Sequence, residues 1–189
     1  MSGVQAGSQE ARVHARRGGD RMAEREPVSA QPLSAEDARP PSWREARARL
    51  EEAQFYWLAT VRPDGRPHVM PVLAVWLDGA LHFTSGPAAR KSRNLTHRSD
   101  CVVSVDSDDL HLVVEGEATK VSSTACLERI AEQYAAKYGW EAAVHGGALY
   151  ADGAPTAGPP PYEVYALRST TVFAFGTDES FGATRWRFS

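Results

Sequence analysis

The residues best suited to chemistry lie in one short segment of the chain. Thr84 and Ser85 end a predicted strand, Gly86-Pro87 turns the chain, and Arg90 and Lys91 follow in a predicted short helix. The start of a helix presents unpaired N–H groups and a partial positive charge, which together suit a phosphate. Arginine adds a bidentate donor and lysine a mobile point charge. The segment therefore indicates a phosphate site, although basic residues on a short helix more often form a solvated surface.

Other kinds of reactive site are not indicated. The sequence has no G-x-x-x-x-G-K-[ST] loop and no G-x-G-x-x-G after a strand, which argues against an ATPase or a Rossmann dehydrogenase. Glu115 and Glu117 alternate along a predicted strand, as an exposed face would. Five histidines have no metal-ligand spacing between them: His68, His82, His97, His111 and His145. The residues alone thus predict no metal site and no catalytic residue.

The elements before the phosphate segment are one helix and three antiparallel strands. Ser42 and Glu45 have the spacing of a capping box at the start of an amphipathic helix. Tight turns with Asp-Gly chemistry separate aromatic and β-branched runs, which are typical of strands. The predicted strands are 55–61, 68–76 and 80–85.

Beyond the phosphate segment, three more strands and a second amphipathic helix are predicted. The predicted strands are 101–105, 110–121 and 162–175. A short helix, 88–97, precedes the first of these strands, and the second amphipathic helix, 124–138, follows the second. Six strands with turns every eight to twelve residues favour a barrel. The predicted fold class is therefore mainly β with flanking helices, built on a six-stranded antiparallel barrel.

One folded domain is predicted, from residue 42 to residue 189. Residues 1–41 contain no aromatic residue and no apolar period, so we expect them to form a disordered tail. Residues 142–161 are rich in Gly, Ala and Pro and predict a long loop. Residues 177–189 predict a C-terminal tail.

The composition is that of an ordinary soluble protein, with 42% hydrophobic residues and a net charge of −3. Such mild acidity gives no overall attraction to nucleic acid or to an anionic membrane. No apolar run approaches the roughly 20 residues needed to cross a bilayer, and no signal peptide is indicated. Cys101 and Cys126 predict two reduced thiols. We therefore expect a cytoplasmic protein with neither a nucleic-acid nor a membrane partner.

Several segments, taken together in order and spacing, resemble the pyridoxamine 5′-phosphate oxidase-like proteins. The matching segments are LATVRPDGRPHVMPV at 58–72, WLDG at 76–79, RKSRNL at 90–95, VVEGEA at 113–118 and TRWRF at 184–188. The resemblance implies a split β-barrel that forms a homodimer. It also implies that FMN or the deazaflavin F420 lies in a cleft between the two subunits.

The resemblance further implies which residues contact this cofactor. Hydroxyls and cations would hold the phosphate, and the backbone of the second strand would meet the ring edge. The residues implied at the phosphate are Thr84, Ser85, Arg90, Lys91 and Asn94. The residues implied at the ring edge are Val69, Met70, Pro71 and Val72.

The C-terminal pair Arg185 and Trp186 is predicted to dock at the same cleft. Tryptophan and arginine are enriched at interfaces, where ring area and a planar cation both gain from desolvation. The alternative is that Trp186 packs the tail onto its own barrel.

Three departures argue against oxidation of vitamin B6 specifically. Met70 and Val75 stand where basic side chains would help to grip FMN, and Ala89 stands where a serine usually precedes the Arg-Lys pair. The leading hypothesis is hydride transfer between FMN or F420 and a small unsaturated or quinone-like substrate. The alternatives are a non-catalytic flavin-binding or carrier protein and a barrel that only dimerises.

Overall fold

Three helices and eleven strands make up the part of the chain that the computed structural model describes, residues 25–34, 38–153 and 158–189. The helices are α1 Trp43–Glu52, α2 Arg90–His97 and α3 Thr124–Tyr138. The strands are β1 Ser29–Pro32, β2 Tyr56–Val61, β3 Pro67–Val72, β4 Ala74–Leu77, β5 Ala80–Ser85, β6 Asp100–Asp106, β7 Leu110–Lys120, β8 Ala143–His145, β9 Ala148–Tyr150, β10 Glu163–Gly176 and β11 Ala183–Arg187. A mainly β fold with flanking helices is confirmed.

One antiparallel sheet contains nine of these strands. Its main path runs β1-β11-β10-β7-β6-β2-β3, and β5 pairs with the first half of β10 and with β4. Only Leu73 separates β3 from β4. One nearly continuous stretch therefore bonds to β2 through its first half and to β5 through its second half.

The core lies on the face where alternate strand residues are apolar. In β7, Leu112 and Val114 are fully buried whereas Glu115 and Glu117 are exposed, as the alternation predicts. Gly116 occupies the next inward position because a side chain there would overlap the carbonyl oxygen of Arg168, 2.0 Å from the ideal Cβ.

Helix α1 closes one end of this core, and its predicted start is confirmed. The Ser42 N–H donates to Glu45 Oε2 (2.8 Å) and the Glu45 N–H donates to Ser42 Oγ (3.3 Å), which is a complete capping box. The first of these bonds is the main reason that the pKa of Glu45 is lowered. Trp43 and Leu50 turn inward from this helix and are buried.

Helix α3 covers the other face of β4 and β5. Its buried stripe is the predicted one: Leu127, Ile130, Ala131 and Tyr134. The Tyr134 hydroxyl donates to the carbonyls of Leu73 and His82, at 3.0 Å each, and so ties the helix to the chain between β3 and β4 and to β5.

The structure corrects the prediction for the N-terminal tail. Residues 29–32 are not disordered but form β1, which pairs antiparallel with β11 from Ser29–Arg187 to Pro32–Thr184. The sequence Ser-Ala-Gln-Pro carries no strand pattern because all four side chains are exposed. The strand is stabilised by its pairing with the otherwise open edge of β11. Residues 1–24 and 35–37 lie outside the described residues.

Two other segments also contain strands that were predicted as loop or tail. The predicted loop 142–161 holds the β8-β9 hairpin, and the predicted tail 177–189 holds β11. The predicted strand 68–76 is divided at Leu73 into β3 and β4. These differences account for eleven strands in place of six. Among the described helices, none is both long and apolar enough to span a membrane.

The pairing of β1 predicts which N-terminal truncation the fold tolerates. A chain that starts at Arg25 keeps β1 and should unfold at the temperature of the full chain. A chain that starts at Pro41 loses this pairing, including the bonds from Val28 N–H to Arg187 O and from Leu33 N–H to Ala183 O. At a net of about 2 kcal/mol for the lost hydrogen bonds, its Tm should fall by roughly 4 to 8 °C. Scanning calorimetry of the three proteins tests this, and equal Tm values for both truncations would contradict it.

Candidate functional site

The end of β5, the start of α2 and the open edge of β3 lie near one another, connected by contacts of Ser85 with Ser92 and of Thr60 with Asn94 and His68. Ala74, the first residue of β4, pairs with Phe83 of β5. Strand β5 continues for two more residues to Ser85, but the chain before Ala74 is Leu73 and then β3, which does not pair with β5. Strand β3 is the last strand on its side of the sheet, so its second edge has no strand partner among the described residues. Helix α2 then begins at Arg90. We call this space the notch: it is bounded by the open edge of β3, the end of β5 and the start of α2.

The start of α2 carries no side-chain cap. Its N-cap is Ala89, and the N–H groups of Arg90, Lys91 and Ser92 have no acceptor within the helix. Uncapped N–H groups in the first turn are available to an anion. The predicted phosphate-binding character of this turn is therefore compatible with its geometry.

The two predicted phosphate hydroxyls differ in their surroundings. Ser85 is completely buried, and its Oγ accepts a hydrogen bond from Ser92 Oγ (2.7 Å), which also lies 2.8 Å from Gly86 O. Ser85 thus holds the turn in place from beneath. Thr84 is half-buried and its side chain points to the opposite face of β5.

Three cations lie around the notch, and two of them, Arg90 and Lys91, were among the predicted contacts. Arg90 and Lys91 begin α2, and Arg62 follows the end of β2; burial is the main cause that lowers the pKa of His68 on β3, and these three charges lower it further. We call these three side chains the cation cluster. Burial alone lowers the pKa of Lys91, with no carboxylate opposing it.

The cation cluster has no carboxylate partner in the described part of the chain. Six other cations do pair: Arg39, Arg47, Arg49, Arg66, Lys120 and Arg129, with Glu45, Glu51, Asp109, Asp64, Glu163 and Asp78 respectively. Arg62 Nε is moreover buried without a hydrogen-bond partner. Arg62 and Lys91 are partly buried, whereas Arg90 is exposed. A partly buried cation without a counter-charge is costly, and it favours the binding of an anion.

A buried polar network connects β3 to α2 behind the notch. Asn94 is fully buried, and its Nδ2 donates to Thr60 Oγ1 at 2.9 Å. Thr60 Oγ1 lies 3.4 Å from His68 Nδ1 and 3.3 Å from His68 O. Asn94, which was predicted as a cofactor contact, fixes α2 against β2 through Thr60, and its Oδ1 has no hydrogen-bond partner.

The prolines of β3 determine which backbone groups face its open edge. Pro67 and Pro71 lie opposite Val61 and Trp57 in the β2 register, and Val69 shares their parity. Because prolines lack an N–H, they take strand positions whose N–H side faces away from the neighbouring strand. By the alternation of antiparallel pairs, Val69 then presents both its N–H and its C=O to the open edge. Met70 and Val72 direct theirs toward β2.

The side of the sheet away from the core carries an exposed apolar surface. Trp57 is 49% exposed, Val69 52% and Phe175 42%, and Phe173 stacks on Phe175 with ring centroids 6.4 Å apart. Val113 of β7 pairs with Phe173 of β10 and therefore lies on the same side of the sheet. We call this surface the outer face. A monomer that exposes so many large apolar side chains on one surface is expected to have a partner there.

The two C-terminal residues predicted at the cleft have separate environments. Trp186 is 2% exposed and contacts Trp43, with ring centroids 5.8 Å apart, so its ring packs onto its own sheet. The alternative considered for this residue is the one observed, because β11 turns it inward. Arg185 has the opposite orientation: it lies beside Phe173 in register, toward the outer face, and contacts Gln31 of β1.

A cavity of about 310 Å³ lies at the other end of β5 and has a different character. Two of its four cations are paired with carboxylates, Arg129 with Asp78 (2.6 Å) and Lys120 with Glu163 (2.6 Å), and Arg25 donates to the carbonyl of Ser169 (3.2 Å). Burial lowers the pKa of its one histidine, His82, to about 4, so that ring is neutral at physiological pH. This cavity lacks the unpaired charge that distinguishes the notch.

The chain belongs to the pyridoxamine 5′-phosphate oxidase family, whose model matches residues 42–176. That span includes the notch, the cation cluster and most of the sheet. No curated protein matches the chain.

Solved structures that are similar to this chain include proteins of quite different description. A conserved hypothetical protein of Mycobacterium tuberculosis is 18% identical, with 76% of this chain and 89% of that chain covered and a TM-score of 0.59. A heme-binding protein of Mycobacterium smegmatis is 20% identical, covering 77% and 58% at a TM-score of 0.56. An F420 reductase is 26% identical, covering 67% and 94% at a TM-score of 0.46. At these identities the first two likenesses establish the fold alone.

Three residues of the candidate site were not among the predicted contacts. Arg62 follows a predicted strand, His68 was considered only as a metal ligand, and Trp57 was assigned to a strand without regard to its face. The structure buries Tyr56 and Leu58 and exposes Trp57, but the sequence is apolar at all three positions and so gives no signal for the buried face. No local signal connects Arg62 with Lys91.

Proposed function

We propose that this protein binds a flavin or deazaflavin phosphate in the notch and transfers hydride between that cofactor and a small unsaturated or quinone-like substrate. The observation that carries the proposal is the cation cluster: Arg62, Arg90 and Lys91 meet without a carboxylate beside an uncapped helix start. Membership of the pyridoxamine 5′-phosphate oxidase family supports the class of cofactor.

The residues of the notch fit the two ends of such a cofactor. Arg90, Lys91 and the first-turn N–H groups of α2 would hold the phosphate, with Thr84 near the end of β5. The N–H and C=O of Val69 would meet the polar edge of the ring system, since this pair is free of strand bonding on the open edge. A ring held there would border the apolar outer face at the side chain of Val69, which is 52% exposed.

The chemistry needs little from the side chains of this protein. A bound flavin or deazaflavin supplies the hydride transfer, and the protein contributes binding, orientation and the exclusion of water. This division explains a site rich in anion-binding groups and poor in acids or bases. Met70 and Val75 supply no positive charge from β3 and β4, which favours a small redox substrate over a B6 vitamer.

We also propose that the sheet closes into the predicted six-stranded split barrel and that two copies pair through the outer face. Support for closure comes from the β3-β4 stretch, which bonds to β2 and then to β5 across Leu73. Support for pairing comes from the exposure of Trp57, Val69 and Phe175 on one surface. A second copy there would cover the ring end of the notch and make the site a cleft between subunits.

A non-catalytic carrier on the same fold is the second candidate. The fold does not choose between them, because structures that share it include a heme-binding protein. Turnover distinguishes the two: a carrier binds cofactor but leaves it unreduced when a hydride donor and a quinone-like acceptor are supplied.

The cation cluster predicts a loss of phosphate affinity on truncation. Lys91→Ala and Arg90→Ala should each weaken FMN binding by roughly ten- to hundredfold, because a charge-assisted bond is lost. Titration by quenching of flavin fluorescence measures this. Arg93→Ala, at an exposed position of the same helix, is the matched control and should bind FMN normally. Riboflavin, which lacks the phosphate, should bind all four proteins with similar affinity; equal FMN affinities throughout would show that the cluster is only a solvated surface.

The open edge of β3 predicts an unusual tolerance to proline. Val69→Pro removes an N–H that faces the open edge and leaves the β2 pairing intact, so the Tm should change little. Binding of both FMN and riboflavin should weaken by about fivefold or more, because a ring-edge hydrogen bond is lost. Met70→Pro is the control: it removes an N–H bonded to β2 and should lower the Tm markedly. Undiminished riboflavin binding by Val69→Pro would contradict the assignment of the ring edge.

The outer face predicts the oligomeric state. The wild-type protein should sediment as a dimer, and Trp57→Glu should sediment as a monomer at micromolar concentration because a charge would be buried in the interface. Val28→Glu places the same charge at another exposed apolar residue, 65% exposed and next to β1, and should remain dimeric. A wild-type monomer, or a dimeric Trp57→Glu protein, would refute pairing through this face.

A further inference from the structure

The ring of His68 lies beside Thr60, which binds Asn94 of α2, and it has no role in the site so far. It occupies β3 opposite Thr60, and its exposure is intermediate, so the ring is neither core nor free surface. The charged groups that act on it come from both neighbouring elements: Arg62 at the end of β2, and Arg90 and Lys91 on α2. In the turn that precedes β3, Asp64 is already paired with Arg66 (2.8 Å), so this acid leaves the positive field at the ring uncompensated.

The contacts of Thr60 can accommodate the imidazole in either protonation state. Thr60 Oγ1 accepts from Asn94 Nδ2 and has one proton of its own to donate. When His68 is neutral, that proton can point to Nδ1; when His68 is charged, Nδ1–H can donate to Oγ1 and the hydroxyl can turn to His68 O. Only the hydroxyl of Thr60 has to rotate when the imidazole gains or loses a proton, and the backbone does not have to move. Asn94 holds Thr60 in place and fixes the ring relative to the start of α2.

We propose that His68 is part of the anion site and takes up a proton when a phosphate binds in the notch. The proposal rests on the proposed function, since it names a further residue of the same site and makes its affinity depend on pH. A phosphate places negative charge among Arg62, Arg90 and Lys91 and cancels the positive field that, together with burial, keeps the imidazole neutral. The charged ring then becomes a fourth cation for the ligand, and the Nε2–H that it carries in both states becomes a charge-assisted donor.

The sign of the pH dependence follows from the two states of the ring. In the free protein, burial and the three cations hold the pKa of His68 below its ordinary value of 6.5. The anion raises that pKa, so phosphate affinity increases as the pH falls through the pKa of the complex and is weakest at higher pH. The second ionisation of a phosphate monoester, near pH 6, acts in the opposite direction and is common to every variant of the protein.

The first test compares the pH dependence of FMN binding in matched variants. Between pH 6.5 and pH 8.5, the wild-type dissociation constant for FMN should rise by about tenfold relative to that of His68→Gln, which keeps a hydrogen-bonding side chain but does not titrate. His97→Gln, at the exposed end of α2, is the control and should follow the wild type. Riboflavin binding should show no such difference between the variants. Parallel pH profiles for wild type and His68→Gln would overturn the inference while leaving the proposed function intact.

The second test needs no variant and therefore does not depend on the folding of one. The ring resonances of His68, followed by NMR across the same pH range, should titrate at a higher pH with FMN bound than without it. An unchanged titration midpoint in a protein that binds FMN would overturn the inference alone. Absence of FMN and F420 binding by the wild type at every pH would overturn the proposed function, and the inference with it.

Discussion

The arrangement of the whole site depends on the single stretch of chain from Pro67 to Leu77. Its first half bonds to β2 and its second half to β5, with one residue between them. A strand that changes partner in this way must leave one edge open before the change, and that edge is where Val69 presents its backbone. The same change lets β5 run beyond its partner to Ser85, from which the chain turns directly into α2. The open edge of β3, the hydroxyls at the end of β5 and the start of α2 therefore lie close together because the β3-β4 stretch changes its strand partner.

Charge then gives this geometry a chemical preference. The chain is mildly acidic overall, with a net charge of −3, so a patch with unpaired cations must be local in origin. Elsewhere among the described residues, six arginine and lysine side chains have a carboxylate within bonding distance. At the notch Lys91 is partly removed from water without one, which costs free energy until an anion arrives. A cost of this kind at a surface site is more easily explained by a ligand than by stability.

The sequence revealed the elements whose signals are local and missed those that tertiary structure imposes. The capping box at Ser42 and the stripe of α3 are set by neighbours three or four residues away, and both were predicted correctly. Strand β1 has no signal of its own, because its order comes from an edge more than 150 residues later in the chain. Trp186 shows the same limit at the level of a side chain. Its position between two arginines suggested an interface, but only the pairing of β11 with both β1 and β10 decides that its ring turns inward.

The residues of the candidate site divide in the same way. Arg90 and Lys91 were predicted because a turn before a helix start is readable from composition, and the resemblance to a family added weight to it. Arg62 and His68 could not be predicted, because they come near α2 only after β2 and β3 pair and α2 docks through Asn94. That docking has a physical consequence for the proposed binding. The hydroxyl of Thr60 touches both Asn94 and His68, so the position of the helix and the charge state of the ring are connected through one buried oxygen. A ligand that pulls on the cations of α2 therefore also acts on the histidine of β3, even though the two lie on different elements.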